Sequence, residues 1–309
     1  MGGEYNKMII LDRLIEQIKA DGADVSSVVE MDENGDFVKK DLRPFPVAKY
    51  TFSVSKSYTA AAIGVLYDRN LLSDEDPVYP LFKDLFAPSH DPKWETVRIK
   101  DLLQHRSGFA KPYLNYKDED DSLFQTDDPL RLMFEIPLSG TIGETMVYVD
   151  PNYYLLSRIV ELKTGMTLYE FVRREFFIPM HCTDHAWTCC PKGHTDGGSG
   201  LLIRTQDMAK LGVVYLNGGI YKGKRYLSEE WIKRSVATRY VDDLGEYGYA
   251  VLRKTTACEN YYFQGAYGQL VYIMPRTKRV IAYHSIGADN NKYIDLLREW
   301  ENEELAQKG

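Results

Sequence analysis

Ser53-Val54-Ser55-Lys56 sets a hydroxyl and an amine three residues apart. If Ser53 opens the helix that continues through SYTAAAIGVLYDRN, that spacing is nearly one turn and the two side chains share a face. A serine hydroxyl is a weak nucleophile until a neighbouring base takes its proton. A lysine can do so when burial or a like-charge neighbour keeps part of it neutral. The helix start adds an asset, because its N–H groups lack internal partners and carry the positive end of the dipole. The Ser53 amide can therefore form half of an oxyanion hole. An S-x-x-K arises about once by chance in a chain of this composition, so the pattern alone says little. Its context says more: Tyr50 and Phe52 lead in from an extended segment, and Ala60, Ala61, Ala62 and Gly64 give the helix a small-residue face fit for deep packing.

Other residues invite chemistry less well. His181, Cys182, His185, Cys189, Cys190 and His194 crowd into one stretch, but their spacing matches no standard zinc site, and no metal is expected. The GGSG at 197–200 lacks the lysine, the spacing and the preceding strand of a phosphate loop, and reads as a turn. The acidic stretch KDEDDSLFQTDDP, 117–129, reads as a solvated loop.

The elements that must position Ser53 and Lys56 follow from periodicity. Leu11, Leu14, Ile15 and Ile18, and again Tyr293, Leu296, Leu297 and Trp300, repeat at i, i+3, i+4 and i+7, so amphipathic helices are expected at both ends. SSVVEMDENGDFVKK reads as a hairpin about Asn-Gly; EYGYAVLR, YGQLVYIMP and RVIAYHSI read as further antiparallel strands. From about residue 54 to 235 helical stretches dominate. The 309 residues carry 44% hydrophobic and 27% charged side chains with a net charge of −7, which fits a globular protein and disfavours nucleic acid as a partner. The charges at Lys7, Asp12, Arg13 and Glu16 do not suit a signal peptide, Asn6 does not suit myristoylation, and no run suits a membrane span. With four cysteines, two of them adjacent, a reducing, cytoplasmic setting is the expectation.

The run YTFSVSKSYTAAAIGVLYDRNLLSDEDPV resembles the nucleophile helix of the penicillin-recognising serine hydrolases, especially their class C β-lactamase, DD-peptidase and esterase branch. VRIKDLLQHRSGF, YVDPNYYLLSRIVELKTG, GGSGLLIRTQDMAKLGVVYLNGG and GAYGQLVYIMP resemble later segments of that branch in its order, covering most of residues 50 to 285. The resemblance implies that Tyr148 of Tyr148-Val149-Asp150 stands in the family's Tyr-x-Asn motif, close to the nucleophile and the lysine, where a phenol can share a proton with Lys56. Asp150 replaces the motif's Asn; before Pro151 it also reads as a helix N-cap. The third motif, normally a Lys or His two residues before Gly, falls on Phe263-Gln264-Gly265 and lacks its cation. That departure argues against an efficient β-lactamase or a standard DD-peptidase. The Ala266 amide remains able to complete the oxyanion hole with Ser53, and Gly265 and Asp150 are expected on the substrate side. His105, which could suggest a Ser-His triad, is placed by the resemblance at a helix-to-loop junction as a structural hydrogen-bonder.

These readings lead to an α/β fold of the β-lactamase/transpeptidase type: an antiparallel sheet flanked by the terminal helices, plus a mostly helical lobe. Residues 1–70 and 200–309 are expected to build the sandwich half and residues 71–199 the lobe, as one domain. The expected activity is that of a serine hydrolase forming an acyl-enzyme on an ester or small amide, with no cofactor. The alternative is an idle member of the same fold that binds a ligand or partner in the cleft.

Overall fold

The computed structural model describes residues 9–44, 47–112, 126–237, 240–242, 245–255 and 258–308. The first eight residues, with Asn6 and Lys7, and the 117–125 part of the acidic stretch lie outside the described residues. The helices are α1 (Ile9–Ala20), α2 (Ser55–Asp68), α3 (Tyr79–Phe82), α4 (Ile99–Leu103), α5 (Pro129–Glu135), α6 (Asp150–Thr164), α7 (Leu168–Val172), α8 (Thr205–Leu216), α9 (Glu229–Val236) and α10 (Asn290–Lys308). The strands are β1 (Asp24–Asp32), β2 (Phe37–Asp41), β3 (Lys49–Tyr50), β4 (Ala186–Trp187), β5 (Leu201–Ile203), β6 (Ile220–Tyr221), β7 (Lys224–Arg225), β8 (Tyr240–Asp242), β9 (Gly245–Tyr247), β10 (Leu252–Arg253), β11 (Tyr261–Gly265), β12 (Gln269–Met274) and β13 (Arg279–Ile286).

Eight strands form one antiparallel sheet in the order β2-β1-β13-β12-β11-β10-β9-β8. Strands from the two chain ends meet where β1 pairs with β13 from Asp24↔Ile286 to Asp32↔Arg279. The β1–β2 hairpin closes over Asn34-Gly35, with Gly35 at φ 79° and the Asp32 carboxylate accepting from the Asn34 and Asp36 amides at 2.9 and 3.0 Å.

The sheet is covered on both faces. Tyr262, Leu270, Tyr272, Met274, Ile281 and Tyr283 pack with Leu11, Leu14, Tyr293 and Leu297 of α1 and α10. Their strand neighbours Tyr261, Phe263, Val271, Ile273, Val280 and Ala282 pack on the opposite side with α8, α2 and α6. Every residue of β12 is buried for this reason, and its sequence shows no in–out alternation. In the central region, where helical stretches were expected to dominate, short strands also occur: β4 and β5, which form a small sheet with β3 from just before that region, and the β6-β7 pair. These strands are two or three residues long, too short to leave a period-2 signal.

Candidate active site

The helix that carries Lys56 starts differently from expectation. Ser53 sits in a 3-10 turn, Phe52–Val54, ahead of α2, and Phe52 takes φ 49°, a left-handed conformation that bulky residues rarely adopt. Hydrogen bonds hold this turn in place: the Thr51 amide donates to the Leu201 carbonyl at 2.8 Å, the Ser55 hydroxyl to the Phe52 carbonyl at 2.6 Å, and the Leu201 amide to the Ser55 hydroxyl at 3.2 Å. The β3–β5 pairing thus fixes Ser53 against the strand that follows residues 197–200. From Ser55 to Leu66, α2 is buried on every side, as its Ala-rich face suggests.

Lys56 is 1% exposed and is surrounded by acceptors. Its Nζ donates to Ser53 Oγ at 3.2 Å, to Asp150 Oδ1 at 2.5 Å and to the Gly198 carbonyl at 2.7 Å. The ammonium also lies 4.8 Å from the Tyr148 ring centroid and 5.7 Å from that of Tyr153. Ser53, Lys56, Tyr148 and Asp150 therefore share one cleft. A base role for Lys56 called for surroundings that lower its pKa. Burial does push it down, but the Asp150 carboxylate and then Tyr148 outweigh burial and hold it above the ordinary lysine range. Resting Lys56 is an ammonium.

Asp150 differs from its expected capping role. It is the first residue of α6, Val149 occupies the cap position without a side-chain bond, and the Asp150 carboxylate turns to Lys56 instead. Helix caps are worth about 1 kcal/mol, whereas a buried ammonium without a counter-charge costs several kcal/mol. The ion pair decides the rotamer.

Tyr148 is 39% exposed at the cleft. Its position is set by His105, which follows α4 at φ 55°: the His105 carbonyl accepts from the Val147 amide at 2.9 Å and His105 Nδ1 accepts from the Val149 amide at 3.3 Å. The imidazole lies against Tyr148 with ring centroids 4.2 Å apart. Burial, and then the charge on Lys56, hold His105 well below the usual histidine range, so it is neutral. It braces the tyrosine segment at a helix-to-loop junction and does not bond Ser53.

On the opposite wall, β11 ends at Gly265. A Cβ there would overlap the Thr51 carbonyl oxygen and stand 3.1 Å from Gln269 Cβ, so the glycine serves close approach of β11 to the turn carrying Ser53. Ala266 follows in the β11–β12 turn, its carbonyl accepting from Gln269 Nε2 at 3.4 Å. Phe263 is fully buried, its ring 4.9 Å from Tyr215, and supplies core packing in the slot where the third motif carries a cation.

Two site features escaped the sequence reading. The GGSG turn is part of the cleft: the Gly197 carbonyl accepts from Thr59 Oγ1 at 2.7 Å and the Gly198 carbonyl from Lys56. Buried Asp196 precedes it and accepts from the Gly198 amide at 3.3 Å; burial, and then the charge on Asp150, raise its pKa to about 7. The available signal was an acid directly before a glycine pair, which is also an ordinary turn composition. The acidic stretch likewise is not solvated throughout: Asp128 caps α5 at 3.1 Å from the Leu130 amide, pairs with Arg158 at 3.0 Å and is buried.

The histidines and cysteines between 181 and 194 take separate partners. His185 Nδ1 meets Tyr169 Oη at 3.0 Å, His194 Nδ1 meets Glu161 at 2.7 Å, and Cys190 Sγ accepts from Tyr154 at 3.4 Å. Among the described residues no group of three or more His, Cys, Asp or Glu is arranged to hold a metal, and no helix is long and apolar enough to cross a membrane.

Comparison with known proteins places the chain among hydrolases. The chain is 30% identical over 151 residues to lovastatin esterase of Penicillium rubens, covering 45% of this chain and 36% of that one. It is 23% identical over 196 residues to 6-aminohexanoate-dimer hydrolase of Paenarthrobacter ureafaciens, covering 60% and 50%. Matches to an N-acetylmuramyl-L-alanine amidase of Bacillus subtilis and an unguisins hydrolase of Aspergillus campestris span only 23% and 26% of those proteins' lengths. A penicillin-binding protein homologue from Caulobacter crescentus superposes with a TM-score of 0.76 at 16% identity over 94% of this chain and 96% of that one, so the β-lactamase/transpeptidase-like fold is shared. The family model described as Beta-lactamase matches residues 50–304, from the strand leading into Ser53 to the last turns of α10, and the chain belongs to the beta-lactamase family.

Proposed function

We propose that this chain is a serine hydrolase that forms an acyl-enzyme on Ser53 and acts on esters or small amides in preference to β-lactams. The observation that carries the reading is Lys56 Nζ at 3.2 Å from Ser53 Oγ, inside a cleft where Lys56 is buried and Ser53 is partly open. A hydroxyl with a fixed proton partner and solvent access is the minimum for nucleophilic catalysis. Ser53 attacks the carbonyl, Lys56 and Tyr148 manage the proton, and the amides of Ser53 and Ala266 receive the oxyanion. Gly265 brings β11 within reach, and Asp150 sets the charge of Lys56. The preference against β-lactams follows from Phe263, an uncharged and buried side chain where substrate-carboxylate recognition calls for a cation. The matched relatives named as an esterase, an amidase and a dimer hydrolase fit such a substrate range.

The test is covalent labelling. A fluorophosphonate should add one adduct to the wild-type chain, on the peptide containing Ser53, and none to Ser53→Ala; p-nitrophenyl esters should turn over faster than nitrocefin. A wild-type mass unchanged after prolonged exposure, with no turnover across the ester panel, would remove the hydrolase reading.

A further inference from the structure

Lys56 lies between a hydroxyl and a carboxylate. Its Nζ is 3.2 Å from Ser53 Oγ and 2.5 Å from Asp150 Oδ1, and the Gly198 carbonyl at 2.7 Å fixes its direction. The resemblance's second motif has Asn where this chain has Asp150, and an asparagine amide cannot take a proton from an ammonium near neutral pH, whereas a carboxylate can. An ammonium has no lone pair with which to accept the Ser53 proton, so resting Lys56 is not itself a base. At rest the pair is held on the ion-pair side, since Asp150 outweighs burial in setting the charge of Lys56, and the neutral amine is formed only as the Ser53 proton arrives.

We propose that Ser53, Lys56 and Asp150 form a proton relay in which Asp150 takes a proton from Lys56 so that Lys56 can take the proton of Ser53. This rests on the acyl-enzyme reading above and specifies how its base arises. Lys56 passes one proton to Asp150 Oδ1 in the same transition state in which its freed lone pair takes up the Ser53 proton, so that both protons are in flight together. The amine lone pair takes the Ser53 proton as Oγ bonds to the substrate carbonyl carbon and the carbonyl π pair moves onto its oxygen. The re-formed ammonium then faces the oxyanion, while the protonated Asp150 adds no opposing charge. On collapse the oxyanion pair restores the carbonyl, the bond to the leaving oxygen or nitrogen breaks with its electron pair, and that atom takes a proton from Lys56. The proton on Asp150 returns to Lys56, so the pair ends as it began and the leaving group carries the proton of Ser53. In this step Asp150 acts through Lys56, as a positioning residue.

Other groups facing the pair fit this assignment. Buried Asp196 interacts with both members electrostatically, and it holds the Gly198 turn through the amide at 3.3 Å. Tyr50 from β3 and Tyr247 from β9 feel the Asp150 charge, while Tyr148, Tyr153 and neutral His105 surround Lys56. Among these described groups Lys56 is the cation and Asp150 the acid in direct contact with it.

The experiment compares wild type, Asp150→Asn and Asp150→Glu, each checked for a cooperative thermal transition, using p-nitrophenyl acetate and fluorophosphonate labelling. Asp150→Asn supplies the residue of the family motif. The relay predicts at least a hundredfold loss in acylation rate with KM changed little. The remaining rate should climb about tenfold per pH unit across a range where wild type is flat, because solvent must now deprotonate Lys56, and Asp150→Glu should recover part of the loss. In wild type alone, a proton inventory of acylation in mixed light and heavy water should curve, with two protons in flight. That measurement holds even if a variant fails to fold. Acylation by Asp150→Asn within threefold of wild type with the same pH profile, or a linear wild-type inventory, overturns the relay. Failure of wild type to label at Ser53 instead overturns the hydrolase reading itself.

Discussion

Gly64→Ala tests whether packing behind the nucleophile helix holds the site together. Alanine is the better helix former by about 1 kcal/mol, so on an exposed helix face the change stabilises. Gly64, however, faces the indole of Trp231: an added Cβ would lie 2.7 Å from its Cε2 and nearer still to Nε1 and Cδ1. Trp231 is 0% exposed and is flanked by the rings of Tyr67 and Tyr249 at 5.2 and 5.5 Å, which block its retreat. Overpacking a dense core costs about 1–3 kcal/mol, and a ring with no escape belongs at the upper end. With the helix gain subtracted, the net loss is about 2 kcal/mol, or roughly 3 °C in Tm for a chain of this size. Because α2 carries Lys56, the strain also reaches its pairing with Asp150 on α6, so acylation should slow along with the loss in Tm. Calorimetry and labelling rates measure the two effects, and Trp231→Phe in the Gly64→Ala background should recover most of both. A Gly64→Ala protein as stable as wild type or more so would refute the packing argument, since the helix-propensity term would then have won.

Four shorter predictions address other parts of the structure. Gly265→Ala drives a methyl group against the Thr51 carbonyl and should reduce acylation at Ser53 at least tenfold while the rest of the fold stays cooperative; unchanged labelling would detach β11 from the site. Removing residues 286–309 takes away Tyr293, Ile294, Leu297 and Trp300, which cover one sheet face with α1, and should leave a chain without a cooperative transition, as checked by urea titration with circular dichroism. Lys56→Arg keeps a charge but cannot reproduce three convergent contacts from one nitrogen, so it should lose acylation about as fully as Lys56→Ala, with Tyr148→Phe losing less; the opposite order in labelling rates would make Tyr148 the base. His284, buried with Nδ1 at 2.9 Å from the Thr205 hydroxyl, has its pKa lowered to about 3, first by burial and then by the charge on Lys49. Its native pKa lies below the unfolded one of about 6.5, so its contribution is complete above that pH and is lost as pH falls toward 3; the urea midpoint of His284→Asn should drop less between pH 7 and pH 4 than that of wild type.

What the sequence disclosed depended on how local each feature is. Ser53 and Lys56 were readable as a pair because three residues along a helix start bring them together whatever the rest of the chain does. The terminal helices were readable because each exposes one face, and their apolar spacing survives into α1 and α10. In β12 both faces are buried, so alternation disappeared and the strand was recognised from β-prone residues and the turn after it. The site members brought by long connections were the hard ones. Asp150 reaches Lys56 across 94 positions and Gly198 across 142, and neither distance leaves a periodic trace.

Asp150 shows why a locally sound reading can miss the stronger constraint. Asp before Pro at a helix start is a good capping pattern, and nothing within α6 argues against it. The decisive quantity lies on α2, where an ammonium that is 1% exposed must have a counter-charge. An asparagine at 150 would satisfy the start of α6 equally well, since Asn and Asp cap alike, so helix chemistry cannot account for the acid. Electrostatics can: beside a buried lysine the carboxylate supplies both the charge that settles Lys56 and a lone pair able to take its proton. The substitution of acid for amide at this motif position is one of two places, with Phe263 in the slot of the third motif's cation, where this chain departs from the pattern it resembles, and Asp150→Asn tests what the acid adds.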